Sequence, residues 1–144
     1  MVPFRVSLLV AISLVATSCT PSPTLKAEGD TSAVEPQVAW LSLGSWQGRG
    51  GTQTESFFTD SGTLRVKWIT RHETRKDAGT LRLSLSSSIS GRELATLVEH
   101  RGIGDGEAMI SEGGRPMYIL VESANVDWAF TVEEGYIVKR AVKK

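Results

Sequence analysis

Two histidines, His72 and His100, are the only imidazoles this chain offers for acid–base or metal chemistry. His72 precedes Glu73, but no second histidine follows at the spacing of an H-E-x-x-H helix, and no H-x-H pair occurs. A tight zinc site would have to gather both histidines and a carboxylate from separate segments, so no metal is expected. Asp105 lies in the run Arg101–Gly106, with Glu107 just beyond it. Calcium needs several oxygens from a turning chain, and a single carboxylate inside Gly102–Gly106 reads as a turn aspartate. Ser84, Ser86, Ser87, Ser88 and Ser90 supply hydroxyls in number. A nucleophilic serine also needs a base within hydrogen-bond reach and a third group to orient that base. No G-x-S-x-G elbow occurs, and no triad can be nominated. Gly48-Arg49-Gly50-Gly51-Thr52 is glycine-rich, yet no helical pattern and no Gly-Lys-Thr follow it, which argues against a phosphate cradle. The acids Glu93, Glu99, Glu112, Glu122, Asp127 and Glu133 are scattered. These patterns predict neither an enzyme nor a cofactor.

The four tryptophans are the other residues that could meet a ligand. Trp68 and Trp128 lie in phase with apolar neighbours and read as core. Trp40 and Trp46 border a polar segment and the glycine run, and they are the candidate ligand or partner contacts. An indole face exposed on a β-domain binds sugars or peptides through flat area and few polar anchors. The competing expectation is that these rings plug the open ends of the core.

Sixteen basic residues balance sixteen acidic ones over 144 residues. The bases are dispersed, apart from Arg71, Arg75 and Lys76 and the closing Lys139, Arg140, Lys143 and Lys144, so no nucleic-acid partner is expected. The only cysteine is Cys19, which rules out a disulfide within the chain. It stands behind a short apolar run, Leu8–Ala16, that follows Arg5. That run is too short to span a bilayer and has the size of a signal-peptide core. Small residues, Ala16-Thr17-Ser18, precede the cysteine.

Ala16-Thr17-Ser18-Cys19 resembles the lipobox of bacterial lipoproteins, with Ala16 where that class prefers leucine. The resemblance implies cleavage before Cys19, a diacylglycerol on its thiol, and attachment to a membrane through this lipid. The cell envelope is then the expected location, on the extracytoplasmic side. Thr20 in place of aspartate favours the outer membrane in a diderm host. An ordinary secretory signal with an incidental cysteine is the alternative. Thr20 to Pro36 is rich in Pro, Ser and Thr, with no sustained period, and reads as a spacer.

The remaining residues predict how the polar side chains above are positioned. Leu64, Val66 and Trp68 alternate with Arg65 and Lys67, which is the period of a strand with one buried face. Asp60-Ser61-Gly62 signals a turn, and Ser56–Thr59 before it reads as the hairpin partner of Leu64–Arg71. Trp40–Trp46 predicts a first strand, bulged near Gly44. Thr80–Ser86 alternates, with Leu81, Leu83 and Leu85 on one face and Arg82, Ser84 and Ser86 on the other, and the three leucines with Trp68 predict the centre of the core. Arg92–His100 fits a strand better than a short helix. Arg101–Gly106 reads as a turn, Ala108–Glu112 as an edge strand, and Met117–Glu122 as a central strand. Trp128, Phe130 and Val132 predict a last buried face, and Tyr136–Val138 either extends this strand or makes a last short one.

The layout from Gly50 to Trp128 is also similar to small β-sandwich modules of uncharacterised envelope proteins and of secreted enzymes. The likeness rests on Gly50, Thr54, Phe57, Trp68, Tyr118-Ile119-Leu120, Asn125 and Trp128. The expected architecture is all-β: an antiparallel sandwich of about eight strands, with a small closed barrel as the alternative. The expected organisation is a signal peptide over 1–18, a tether over 19–37, the sandwich over 38–140 and a basic tail over 141–144. The expected role is that of a lipid-anchored, non-enzymatic envelope protein that contacts an envelope protein, with a cell-wall glycan as the alternative ligand.

Overall fold

Period-two alternation puts apolar side chains on one face of each strand, and two such faces closing on each other make the core. The computed structural model describes residues 35–140; the leader, Cys19, most of the tether and the 141–144 tail lie outside them. Nine antiparallel strands form two sheets: β1 (Glu35–Arg49), β2 (Thr52–Gln53), β3 (Phe57–Phe58), β4 (Thr63–Arg71), β5 (Thr80–Ser87), β6 (Glu93–Arg101), β7 (Gly104–Ser111), β8 (Pro116–Ala124) and β9 (Asp127–Arg140). One sheet runs β1-β9-β4-β7 and the other β2-β8-β5-β6, with β3 also paired to β8. The fold is a sandwich of a four-stranded and a five-stranded sheet, not a closed barrel.

Leu64 and Val66 of β4 and Trp128, Phe130 and Val132 of β9 line the inner face of the first sheet. Leu81, Leu83 and Leu85 of β5 meet them from the second, with Val98, Met117, Ile119 and Val121. Each fully buried aliphatic side chain of this kind contributes about 1.5–3 kcal/mol. With no disulfide available, this cluster holds the two sheets together.

Several elements follow the alternation directly. β6 is a strand, β7 is the edge of its sheet, and β8 lies in the interior of the other. The bulge in β1 falls between Ser42 and Gly44. Gly44 leaves room there for the ring of Trp46, from which a Cβ would stand 2.3 Å.

Other expectations are corrected. Phe57 and Phe58 do not form a hairpin with Leu64–Arg71; they pair with Met117 and Pro116 in the other sheet. Both flanks of β4 are taken by β7 and β9. Asp60-Ser61-Gly62 therefore carries the chain between sheets, where the buried carboxylate of Glu134 accepts hydrogen bonds from Asp60 N and Ser61 N, each 2.6 Å. Ser84 and Ser86, on the face of β5 opposite the leucines, are also buried, 1% and 3% exposed. Leu120 and Tyr118 of β8 stand opposite them in register. β1 starts at Glu35, within the stretch read as tether, and β7 starts at Gly104, within the stretch read as turn. That turn is tightened by Thr70, whose hydroxyl donates to Gly102 O (2.8 Å) and accepts from Gly104 N (2.9 Å).

Candidate functional site

The outer face of the four-stranded sheet is built from alternate residues of β1, β9, β4 and β7, and register sets those of the first three in rows, with Asp105, Glu107 and Met109 of β7 beside Ile69, Lys67 and Arg65. Arg49, Asp127 and Arg71 form one row, Gln47, Ala129 and Ile69 the next, and Ser45, Thr131 and Lys67 a third. Ser42, Glu133 and Arg65 follow, and Trp40 lies beyond, opposite Gly135. In the second row a lone methyl, Ala129, stands between two longer side chains. Two adjoining depressions of about 540 and 510 Å³ share Gln47, Ile69 and Ala129 in their lining, so the low point of the face becomes a trough.

Ion pairs brace both ends of the trough. At one end Arg49 Nε donates to Asp127 Oδ1 at 2.6 Å, Nη2 to His72 O at 2.7 Å and Nη1 to Thr74 Oγ1 at 3.0 Å. His72 Nδ1 lies 2.9 Å from Asp127 Oδ2. The hydrogen bond from Arg49, then that from His72, hold the Asp127 carboxyl below its ordinary range. Arg71 adds a further cation on the wall, with no ion-pair partner among the described residues.

At the other end Arg65 Nη2 and Lys67 Nζ reach Glu133 Oε2 at 2.6 and 3.2 Å. Desolvation pushes the Glu133 carboxyl up, but the hydrogen bonds from Arg65 and Lys67 outweigh it and leave the group below its usual value. The Arg65 guanidinium also stands 3.9 Å from the centre of the Trp40 ring, in cation–π range.

The two candidate tryptophans are separated by the bulge in β1. Trp40 is half-buried on the outer face, its ring over Gly135, where a Cβ would come within 2.9 Å. Trp46 points inward, stacks on Phe130 at 5.3 Å, approaches Phe57 at 6.4 Å and donates its indole N–H to Glu55 Oε2 at 3.1 Å. It fills the side of the sandwich between β1 and β3. Cys19, the candidate lipid site, lies outside the described residues.

The two histidines are not brought together. His72 is exposed beside Asp127, whereas His100 faces inward with its ring 4.7 Å from Trp68. Asp105 stands in β7 opposite Ile69, not in a loop. Among the described residues, no group of three or more His, Cys, Asp or Glu side chains could hold a metal ion. The first depression does hold a His–Asp pair, but none of its lining residues is a serine, threonine or cysteine.

The trough itself was not apparent as a site in the sequence. Its signals were faint: Ile69 is an apolar residue on an otherwise charged face, and Ala129 is a small residue between Asp127 and Thr131. The structure defines a small all-β sandwich domain with one grooved, charge-braced sheet face. Set against known proteins, the chain matches no family model, no curated protein and no solved structure.

Proposed function

We propose that this chain is a lipid-anchored, non-enzymatic envelope protein that binds a protein partner through the trough on its four-stranded sheet. Cys19 carries the lipid and holds the domain on the extracytoplasmic side, at the outer membrane in a diderm host. The leader and the lipobox-like run support the anchor. The observation that carries the binding reading is the trough at Gln47, Ala129 and Ile69. An apolar floor with ordered charges at its ends suits an extended polypeptide segment: the floor takes apolar side chains and the braced ends set register. Arg71, which has no ion-pair partner among the described residues, favours an acidic residue in that segment.

A photo-crosslinking residue at Gln47 in the native host tests this, with the same residue at Arg82 on the other sheet as the control. A discrete protein adduct from Gln47, absent from Arg82 and lost when Ala129→Arg fills the floor, is the expected result. Equal adducts from both positions, or none from Gln47, would refute it. A glycan-binding role is the second reading, favoured by the partly exposed Trp40 ring on the same face. Saturable glycan binding that Trp40→Ala abolishes would put that reading first.

A further inference from the structure

The strand pair β1–β9 is longer than the sheet it belongs to. β4 pairs with β9 only between Asp127 and Glu134. Beyond that point Tyr136–Arg140 pairs with Glu35–Ala39 alone, a two-stranded arm roughly 17 Å long. A two-stranded ribbon is marginal in water by itself. This one also exposes large apolar side chains on both faces. Val38 (55% exposed) and its partner Ile137 (76%) share the outer face with Trp40. Val138 (41%) and, at the base, Leu41 (55%) lie on the opposite face. Lys139 is exposed opposite Pro36, and Arg140 is paired with Glu35. Among the described side chains of this arm, Lys139 is the one charged group, and it is a base.

We infer that this arm seats on an anionic lipid surface, with Val38, Ile137 and Val138 entering the headgroup boundary and Lys139 engaging lipid phosphates. The inference rests on the anchored reading for proximity. Fifteen residues lie between Cys19 and Glu35, a length that spans at most about 55 Å, so the anchor delivers this end of the domain to the bilayer. A flat protein partner or a two-fold copy would cover one face of the ribbon. A lipid interface surrounds both faces, and lysines above buried apolar residues extend their charge to the headgroups. Attraction to an anionic leaflet is short-ranged and screened by salt, so contact made through an anchor strengthens it.

The test is hydrogen exchange of the mature protein from its host on vesicles of phosphatidylglycerol and phosphatidylethanolamine, compared with phosphatidylcholine vesicles. Peptides covering Val38–Leu41 and Tyr136–Lys139 should exchange about tenfold more slowly on the anionic vesicles only, while core peptides stay unchanged. Val38→Asp with Ile137→Asp should remove that protection. Lys139→Glu, which leaves the apolar residues in place, should weaken it, so the test survives if the double variant misfolds. Intact mass reports the lipid on Cys19 separately. A lipidated protein whose arm exchanges equally on and off anionic vesicles overturns the inference and leaves the anchor standing. An unlipidated protein whose arm is still protected by added anionic vesicles overturns the anchor and supports the surface contact. Protection that appears without vesicles and rises with protein concentration assigns the arm to a second copy and overturns the inference.

Discussion

Glu134 joins the two sheets at the crossover, and its removal should be the most costly single change away from the aliphatic core. The side chain is 2% exposed, and its carboxylate accepts three hydrogen bonds of 2.6 Å, from Asp60 N, Ser61 N and the Tyr136 hydroxyl. Truncation to alanine leaves two backbone donors and a phenol without their acceptor, beside a new cavity. Unsatisfied buried donors cost about 1–3 kcal/mol each, and breaking a buried charged cluster about 3–5 kcal/mol, so Glu134→Ala should lose about 3–5 kcal/mol. Urea unfolding followed by tryptophan fluorescence measures this as a lower midpoint at unchanged slope. The titration sign follows from the same contacts. Desolvation pushes the carboxyl up, but the Tyr136, Ser61 and Asp60 hydrogen bonds outweigh it, so the folded group titrates below its unfolded value. Its stabilisation is then present above the unfolded value, about 4.3, and is lost as pH falls through the folded one. The gap between wild type and Glu134→Gln should therefore narrow in acid. The partner responds oppositely: the Glu134 hydrogen bond first, then desolvation, pushes the Tyr136 phenol up to about 12. A loss below about 1 kcal/mol for Glu134→Ala, or a gap that widens as pH falls, would refute this account of the crossover.

Two further substitutions test the packing. Gly44→Val places a side chain where the Trp46 ring now lies, with Cβ 2.3 Å from the ring. It should cost about 1–3 kcal/mol and shift the emission of Trp46, and an unshifted spectrum would show that the bulge does not depend on that ring. Leu83→Ala removes a side chain that is 0% exposed at the centre of β5. Differential scanning calorimetry should show a loss of about 2–5 kcal/mol, and a smaller loss would mean that the sheets collapse into the space.

Much of the architecture was legible because burial imprints a period of two on each strand. Leu81, Leu83 and Leu85, like Trp128, Phe130 and Val132, declare an inner face before any partner is known. The bulge at Gly44 was visible for a similarly local reason: a glycine interrupts an otherwise regular strand, and an indole is two residues away. The leader and Cys19 are chemical words read in place, and they carry their expectation without any fold.

Which strands pair was not contained in those local signals. Asp60-Ser61-Gly62 is the same turn whether it joins neighbours or crosses between sheets, and only the distant Glu134 carboxylate decides the matter. Alternation puts Ser84 and Ser86 on the face opposite the leucines of β5 but reports only the strand's own residues, so it does not show that this face too is buried there, opposite Leu120 and Tyr118 of β8. Trp40 and Trp46 looked equivalent from their neighbours in sequence, and the bulge between them sends one ring outward and the other into the core. The trough is wholly a product of register: Gln47, Ala129 and Ile69 come from three strands far apart in the chain and meet only because β9 lies between β1 and β4. Local chemistry thus determined the strands, their inner faces and the expected anchor, because each depends on residues adjacent in sequence. The tertiary structure alone decided the sheet order and the grooved face, because both depend on long-range contacts between strands.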